Sequence, residues 1–289
     1  VTTHMLSIVV KNLRTTLNKY MSVTITEITD LIPEFLFYIR FAEYVKGLEA
    51  RGMKFSKPAV CERKETDPVS TMEARGIYNL KLTGEDGPSA ADIVPNDLDF
   101  NEKHTVYILT GANRGGKTTI TQAIGQLYCL AQAGIYVPGE SFTYCPVDGI
   151  FTHFPADEDK TLDLGRLGEE CKRFREMFSE ATSESLILLN ETFSTTSFEE
   201  GYYIARDSIR AILKKGIRCI YNTHMHKLAF DVEGFNEEET AGKAASLVIL
   251  SQNNRASFKV AVAAPEGMSY ARTIAEKYGV TYEMLIRGE

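Results

Sequence analysis

Positive charge is in short supply in this chain. Its 32 Lys and Arg face 39 Asp and Glu, a formal net charge of -7 over 289 residues. That balance argues against a self-sufficient nucleic-acid binder, which carries a basic face. Cysteine is sparse: Cys61, Cys129, Cys145, Cys171 and Cys219 are scattered, with no C-x-x-C pair. They read as reduced thiols, mostly in the core. No apolar run approaches the ~20 residues that span a bilayer. No leader-like segment is visible either, and the expected compartment is the cytoplasm. Internal repeats and low-complexity tracts are absent. The chain opens on Val rather than Met, as a fragment of a longer protein would.

What is present is enough apolar residue, 44%, for one large core or one core plus a small appendage. The N-terminal stretch reads as helical. Ile32, Phe35, Leu36, Ile39 and Ala42 recur at helical spacing, with Asp30 as N-cap and Pro33 in the first turn. Residues 54–74 read as a polar connection. From Gly76 onward, strand-like segments (77–82, 105–109, 147–152, 186–189, 217–222, 247–250, 258–263) alternate with helix-like ones (118–133, 163–180, 197–215). Ser197 and Glu200 form a capping box, and Gly216 closes that helix. Arg210, Lys214, Lys215 and Arg218 read as surface charge complementing a helix end. Residues 233–243 read as an acidic surface loop, and 269–277 and 281–287 as short helices. The pattern predicts an α/β fold of the P-loop NTPase type, a mostly parallel sheet layered with helices. A small helical segment precedes it, with domains at 1–70 and 71–289.

Three segments carry chemistry. Gly111-Ala112-Asn113-Arg114-Gly115-Gly116-Lys117-Thr118 matches G-x-x-x-x-G-K-[ST] in full, between a strand-like and a helix-like run. That context marks a loop that binds a nucleoside triphosphate. The glycines let backbone N–H groups approach phosphate oxygens, Lys117 reaches the β- and γ-phosphates, and Thr118 places its hydroxyl on Mg²⁺. Leu186–Leu189 is a buried-strand run ending in Asn190-Glu191, expected to lie beside the phosphate loop. Glu191 is the candidate base for the attacking water. Asn190 stands where an Asp usually helps hold Mg²⁺, and its amide brings no negative charge. Tyr221-Asn222-Thr223-His224 is a further strand end, with His224 as the candidate γ-phosphate sensor.

In this order the motifs resemble the ATPase domain of the MutS DNA mismatch-repair family, within the ABC-type class. Gly111 to Thr119 resembles the family's GPNMGGKST loop, Val137-Pro-Gly-Glu140 its VPA-[QE] segment, and Pro146 to Thr152 its P-[IV]-D-R-I-[FY]-T run. Asn190 to Gly201 resembles DE-[IL]-GRGTST-[YF]-DG, Thr223-His224 resembles ATH, and Ser269-Tyr270-Ala271 resembles SYG. The resemblance covers residues 75–285 and implies ATP and Mg²⁺, with the whole loop through Thr119 as nucleotide contacts. It also implies a homodimer with composite sites, and DNA held by domains outside this chain; no membrane is implied. Ile93 falls at the family's adenine-stacking aromatic, Glu140 at its Q-loop residue, and Asp148 at its Asp after the middle strand. Departures accompany the likeness: the signature Ser falls on Gly165 or Leu167, and only the second half of GRGTST is kept. Those departures suggest a divergent relative. They also favour a second reading, a nucleotide-gated assembly switch that hydrolyses ATP poorly. A coiled-coil DNA ATPase would need long heptads and an LSGGQ-like signature. A small-molecule kinase would need a lid-like Arg cluster.

Overall fold

The computed structural model describes residues 2–61, 71–84, 87–112, 114–154, 165–252, 255–265, 275–276 and 278–287. They form two compact units, Val1–Ala50 and Arg51–Glu289. In the first, helix α1 (Thr2–Asp30) and helix α2 (Ile32–Ala50) are separated at Leu31. Pro33 lies in the first turn of α2, where its missing N–H costs little. Asp30 therefore closes α1 rather than capping α2, since it is Leu31 whose carbonyl accepts from Phe35 N–H.

The second unit begins well before residue 71. Strand β1 (Phe55–Ser56) pairs with β6 (Val137–Pro138), and β2 (Ala59–Val60) pairs with β7 (Ser141–Tyr144). The stretch read as a polar connection thus contributes strands to this unit. Cys61 follows β2, and its N–H donates to Tyr144 O. That pairing brings it to Cys145, with which it forms a disulfide. Cys129, Cys171 and Cys219 are free, and of these only Cys219 is buried.

The centre of the unit is a six-stranded sheet in the order β12-β11-β5-β10-β9-β8. Its strands are β5 (Val106–Thr110), β8 (Ile150–His153), β9 (Leu186–Asn190), β10 (Arg218–Asn222), β11 (Ala244–Gln252) and β12 (Arg255–Val262). All pairs are parallel except β11–β12. Every residue of β5, β9 and β10 is buried, as expected for parallel strands covered on both faces. Alternation along β5 divides the core. Tyr107 and Leu109 face Ile120, Ile124 and Leu127 of helix α3 (Lys117–Gln132). Val106 and Ile108 face Ile209, Ile212 and Leu213 of helix α5 (Phe198–Lys215), together with Phe174 of α4 (Gly165–Glu180). A four-stranded sheet, β2-β7-β3-β4, adds Met72, Ala74 and Phe100 to the α3 side through β3 (Met72–Ile77) and β4 (Asn96–Phe100).

Some sequence expectations change. The strand expected at 77–82 ends at Ile77, and Leu80–Thr83 is a 3-10 turn capped by Asn79, whose side chain accepts from Lys81 N–H. The expected loop at 233–243 contains helix α7 (Val232–Glu237), which follows α6 (His226–Phe230). Arg218 is not a surface cation. It is fully buried, and its guanidinium donates to Tyr128 Oη (3.2 Å), Cys145 O (3.3 Å) and Glu184 O (2.6 Å). The last helix, α8 (Tyr282–Arg287), forms where expected. Most of the 269–277 pattern lies outside the described residues.

Candidate active site

Strand order creates the site. β10 lies between β5 and β9, so the Asn190 strand is one place removed from the phosphate loop rather than beside it. Register aligns their carboxyl ends: Asn222 is level with Leu109 on one side and Asn190 on the other. Such carboxyl ends are where open α/β sheets bind ligands.

The phosphate loop connects β5 to α3. Gly116, the N-cap of α3, sits at φ 96° and offers no side-chain cap, so the first-turn N–H groups are left for an external acceptor. A Cβ on Gly115 would come 2.9 Å from Ala112 O; the cradle has no room for a side chain there. Lys117 is 6% exposed, and its ammonium donates to Gly111 O (2.9 Å) and Ala112 O (3.4 Å). Burial lowers its pKa, and nearby Glu191 opposes that shift. Asn113 lies outside the described residues.

At the strand ends the three motifs touch. Thr118 Oγ1 donates to Asn190 Oδ1 (3.0 Å). Asn222 Nδ2 donates to the same oxygen and reaches Thr118 Oγ1 at 3.3 Å. Asn222 is fully buried, and its own Oδ1 has no hydrogen-bond partner. Glu191 turns off β9 at φ 53°, with its N–H tied to Asn222 O (2.9 Å). One carboxylate oxygen meets His224 Nε2 at 2.9 Å, while Oε2 is buried without a partner. These donors suit the groups implied. An unpaired carboxylate oxygen suits a base, and two neutral oxygens, Thr118 Oγ1 and Asn190 Oδ1, suit a cation such as Mg²⁺ that keeps most of its water.

Ile93, Arg114, Gly115, Gly116, Lys117, Thr118, Thr119, Glu191 and His224 all line one cavity of about 600 Å³. That is within the range of small-ligand sites. Gly111, Ala112 and Asn190 do not line it; the first two accept from Lys117 through their carbonyls, and Asn190 accepts from Thr118. Glu140 does not line it; its carboxylate pairs with Lys54, because its N–H is hydrogen-bonded to Arg75 O on β3. Asp148 is also elsewhere, accepting from Ser185 (2.6 Å) and Thr182.

Two residues escaped the sequence reading. Asn222 has no distinguishing local signal within Tyr221-Asn222-Thr223-His224, since its value depends on strand order. Phe258 read as an ordinary strand residue. It lies at φ 59°, lines the same cavity as Ile93, and its ring carbon comes 3.3 Å from where a Cβ on Gly116 would stand. Buried Asn96 fixes it by donating to Phe258 O (3.0 Å) and accepting from Val260 N–H (2.8 Å).

Fold and site together define a P-loop NTPase-type α/β domain. Residues 107–287 match the family model of MutS domain V, and the chain belongs to the MutS family. It is 28% identical over 240 residues to endonuclease MutS2 of Thermus thermophilus, covering 83% of this chain and 29% of that protein. It is 36% identical over 137 residues to the DNA mismatch repair protein MutS of Chlorobium chlorochromatii, 47% of this chain and 16% of that one. With the mismatch repair protein MSH6 of Arabidopsis thaliana it shares 30% identity over 172 residues, 58% of this chain and 13% of the other. The chain thus spans less than a third of these relatives. Among the described residues, no helix is long and apolar enough to cross a membrane.

Proposed function

We propose that this chain is the ATP-binding and ATP-hydrolysing domain of a MutS-like DNA-processing protein of the ABC-type class, acting in the cytoplasm. Its homodimer would close on ATP and reopen on hydrolysis, with DNA held by other parts of the protein. The observation that carries this reading is the aligned strand ends. They bring Glu191 and His224 to the cavity that Lys117 and Thr118 line, with Asn190 joined to it through the Thr118 hydroxyl, and leave one Glu191 oxygen unpaired.

The residues divide the work. The uncapped start of α3 and Lys117 hold the phosphates. Phe258 and Ile93 line the same cavity and would pack against the adenine. Glu191 Oε2 takes the proton of the attacking water as its oxygen bonds to the γ-phosphorus and the bridge to the β-phosphate breaks. His224 holds the other carboxylate oxygen and so fixes the direction of the base. Thr118 and Asn190 would hold Mg²⁺, which supplies charge neutralisation when bound. Asn190 and the missing signature hydroxyl favour slow turnover, which leaves a nucleotide-gated switch as the second reading.

The test is nucleotide binding alongside phosphate release. The parent should bind Mg-ATP and release phosphate. Lys117→Ala should lose at least tenfold in affinity, and Glu191→Gln should bind normally while release falls at least a hundredfold, a general base contributing about 10²–10⁴. Phosphate release unchanged in Glu191→Gln would contradict the assignment.

A further inference from the structure

Arg114 is the phosphate-loop side chain that the reading above leaves unused. It lines the cavity with Glu191 and His224 and is solvent-exposed. Its backbone lies in the left-handed region at φ 61°, a conformation that costs a residue with a Cβ about 1–2 kcal/mol and persists mainly where function uses it. Among the described residues, none is shown hydrogen-bonded or ion-paired to its guanidinium. Lys117 and Lys259 differ: the one is held by Gly111 and Ala112 carbonyls, the other by Pro95 O.

A second, independent observation concerns the charge of the residues read as holding the metal. The groups read as metal-holding are themselves neutral, an Asn190–Asn222 amide pair bridged to the Thr118 hydroxyl, and the adjacent carboxylate, Glu191, is held by His224. A neutral pair holds a divalent cation less firmly than a carboxylate does, so more of the triphosphate charge falls to fixed protein cations. A guanidinium is suited to that task because its planar fork meets phosphate oxygens bidentately and stays charged.

We propose that Arg114 binds the terminal phosphate of the nucleotide directly, supplying within one chain the positive charge that the Asn190–Asn222 pair secures only weakly through a metal. This rests on the nucleotide reading of the same cavity. It assigns Arg114 to discrimination between tri- and diphosphate, so its effect belongs to binding as well as to turnover.

The test is equilibrium titration of ATP and ADP, in EDTA and in Mg²⁺, on the parent, Arg114→Met, Arg114→Lys and Lys117→Ala, with thermal melts to verify folding. Arg114→Met should weaken ATP at least tenfold in EDTA while ADP changes less than twofold. The loss should be smaller in Mg²⁺, and Arg114→Lys should recover part of it. Equal loss of ATP and ADP in Arg114→Met, or no loss of either, would overturn the proposal while leaving the nucleotide site intact. Failure of the underlying reading looks different: the parent binds neither nucleotide and Lys117→Ala changes nothing, which removes both claims.

Discussion

Asn190 occupies a position already wired for a carboxylate. Its Oδ1 accepts from Thr118 and from Asn222, and an Asp in the same rotamer would accept both. Asn190→Asp should therefore fold normally and tighten Mg²⁺ about tenfold or more, because a charged oxygen replaces a neutral one. Mg²⁺ titration of ATP turnover reads this directly. A large gain in turnover supports the slowed-switch reading, and an unchanged Mg²⁺ requirement would show that residue 190 does not act on the metal. His153 gives a second residue-scale prediction. It is 3% exposed, and burial, aided by Arg173, pushes its pKa from 6.5 down to about 4. The folded state therefore holds the neutral ring. Its contribution is complete above pH 6.5 and is lost as pH falls toward 4, where the unfolded chain takes the proton first, by about 2–3 kcal/mol. Urea melts of parent and His153→Gln from pH 7 to 4 should show a shallower decline in the variant; parallel curves would contradict the assignment. At this scale the phosphate loop, Glu191 and His224 were legible because each sits in a local pattern. Asn222 was not, since its partners come from strands that only the sheet order brings to its sides.

Among elements, α5 shows how far local signals reach. Ser197 caps it by accepting from Glu200 N–H (3.4 Å), and Gly216 closes it at φ 72°, both as the sequence indicates. Glu200 returns its carboxylate to the Ser197 hydroxyl (3.0 Å). Gly216→Ala should cost about 1–2 kcal/mol, since Ala pays for the left-handed conformation and its Cβ would stand 3.2 Å from Ala241 Cβ. Chemical denaturation measures it, and a neutral result would mean that the helix end re-forms without this turn. Just beyond, local reading fails. Arg218 looks like one more basic residue at a helix end, yet it is the first residue of β10 and buried. Nothing local indicates that Tyr128, Cys145 and Glu184 converge to receive it. The Cys61–Cys145 pair was hidden for the same reason, its members lying 84 positions apart in the sequence. Short strands such as β1, β2 and β6 carry too few residues for periodicity to register.

At the scale of the whole molecule, the site is built by one chain on three sides. The strand ends bring Asn190, Glu191 and His224 together, the 111–118 loop and the start of α3 form the second side, and Phe258 and Ile93 line the same cavity. What the chain lacks is a hydroxyl where the family resemblance places the signature Ser, at Gly165 or Leu167. If a second copy closes the site through its own backbone there, turnover requires two chains. The measurement is phosphate release per chain across a hundredfold range of concentration in Mg-ATP, with Glu191→Gln in parallel. Specific activity should rise with concentration, then level off, and be lost in Glu191→Gln throughout. Specific activity that stays constant over the whole range, at levels well below any dimer's formation, would contradict a site completed by a second copy.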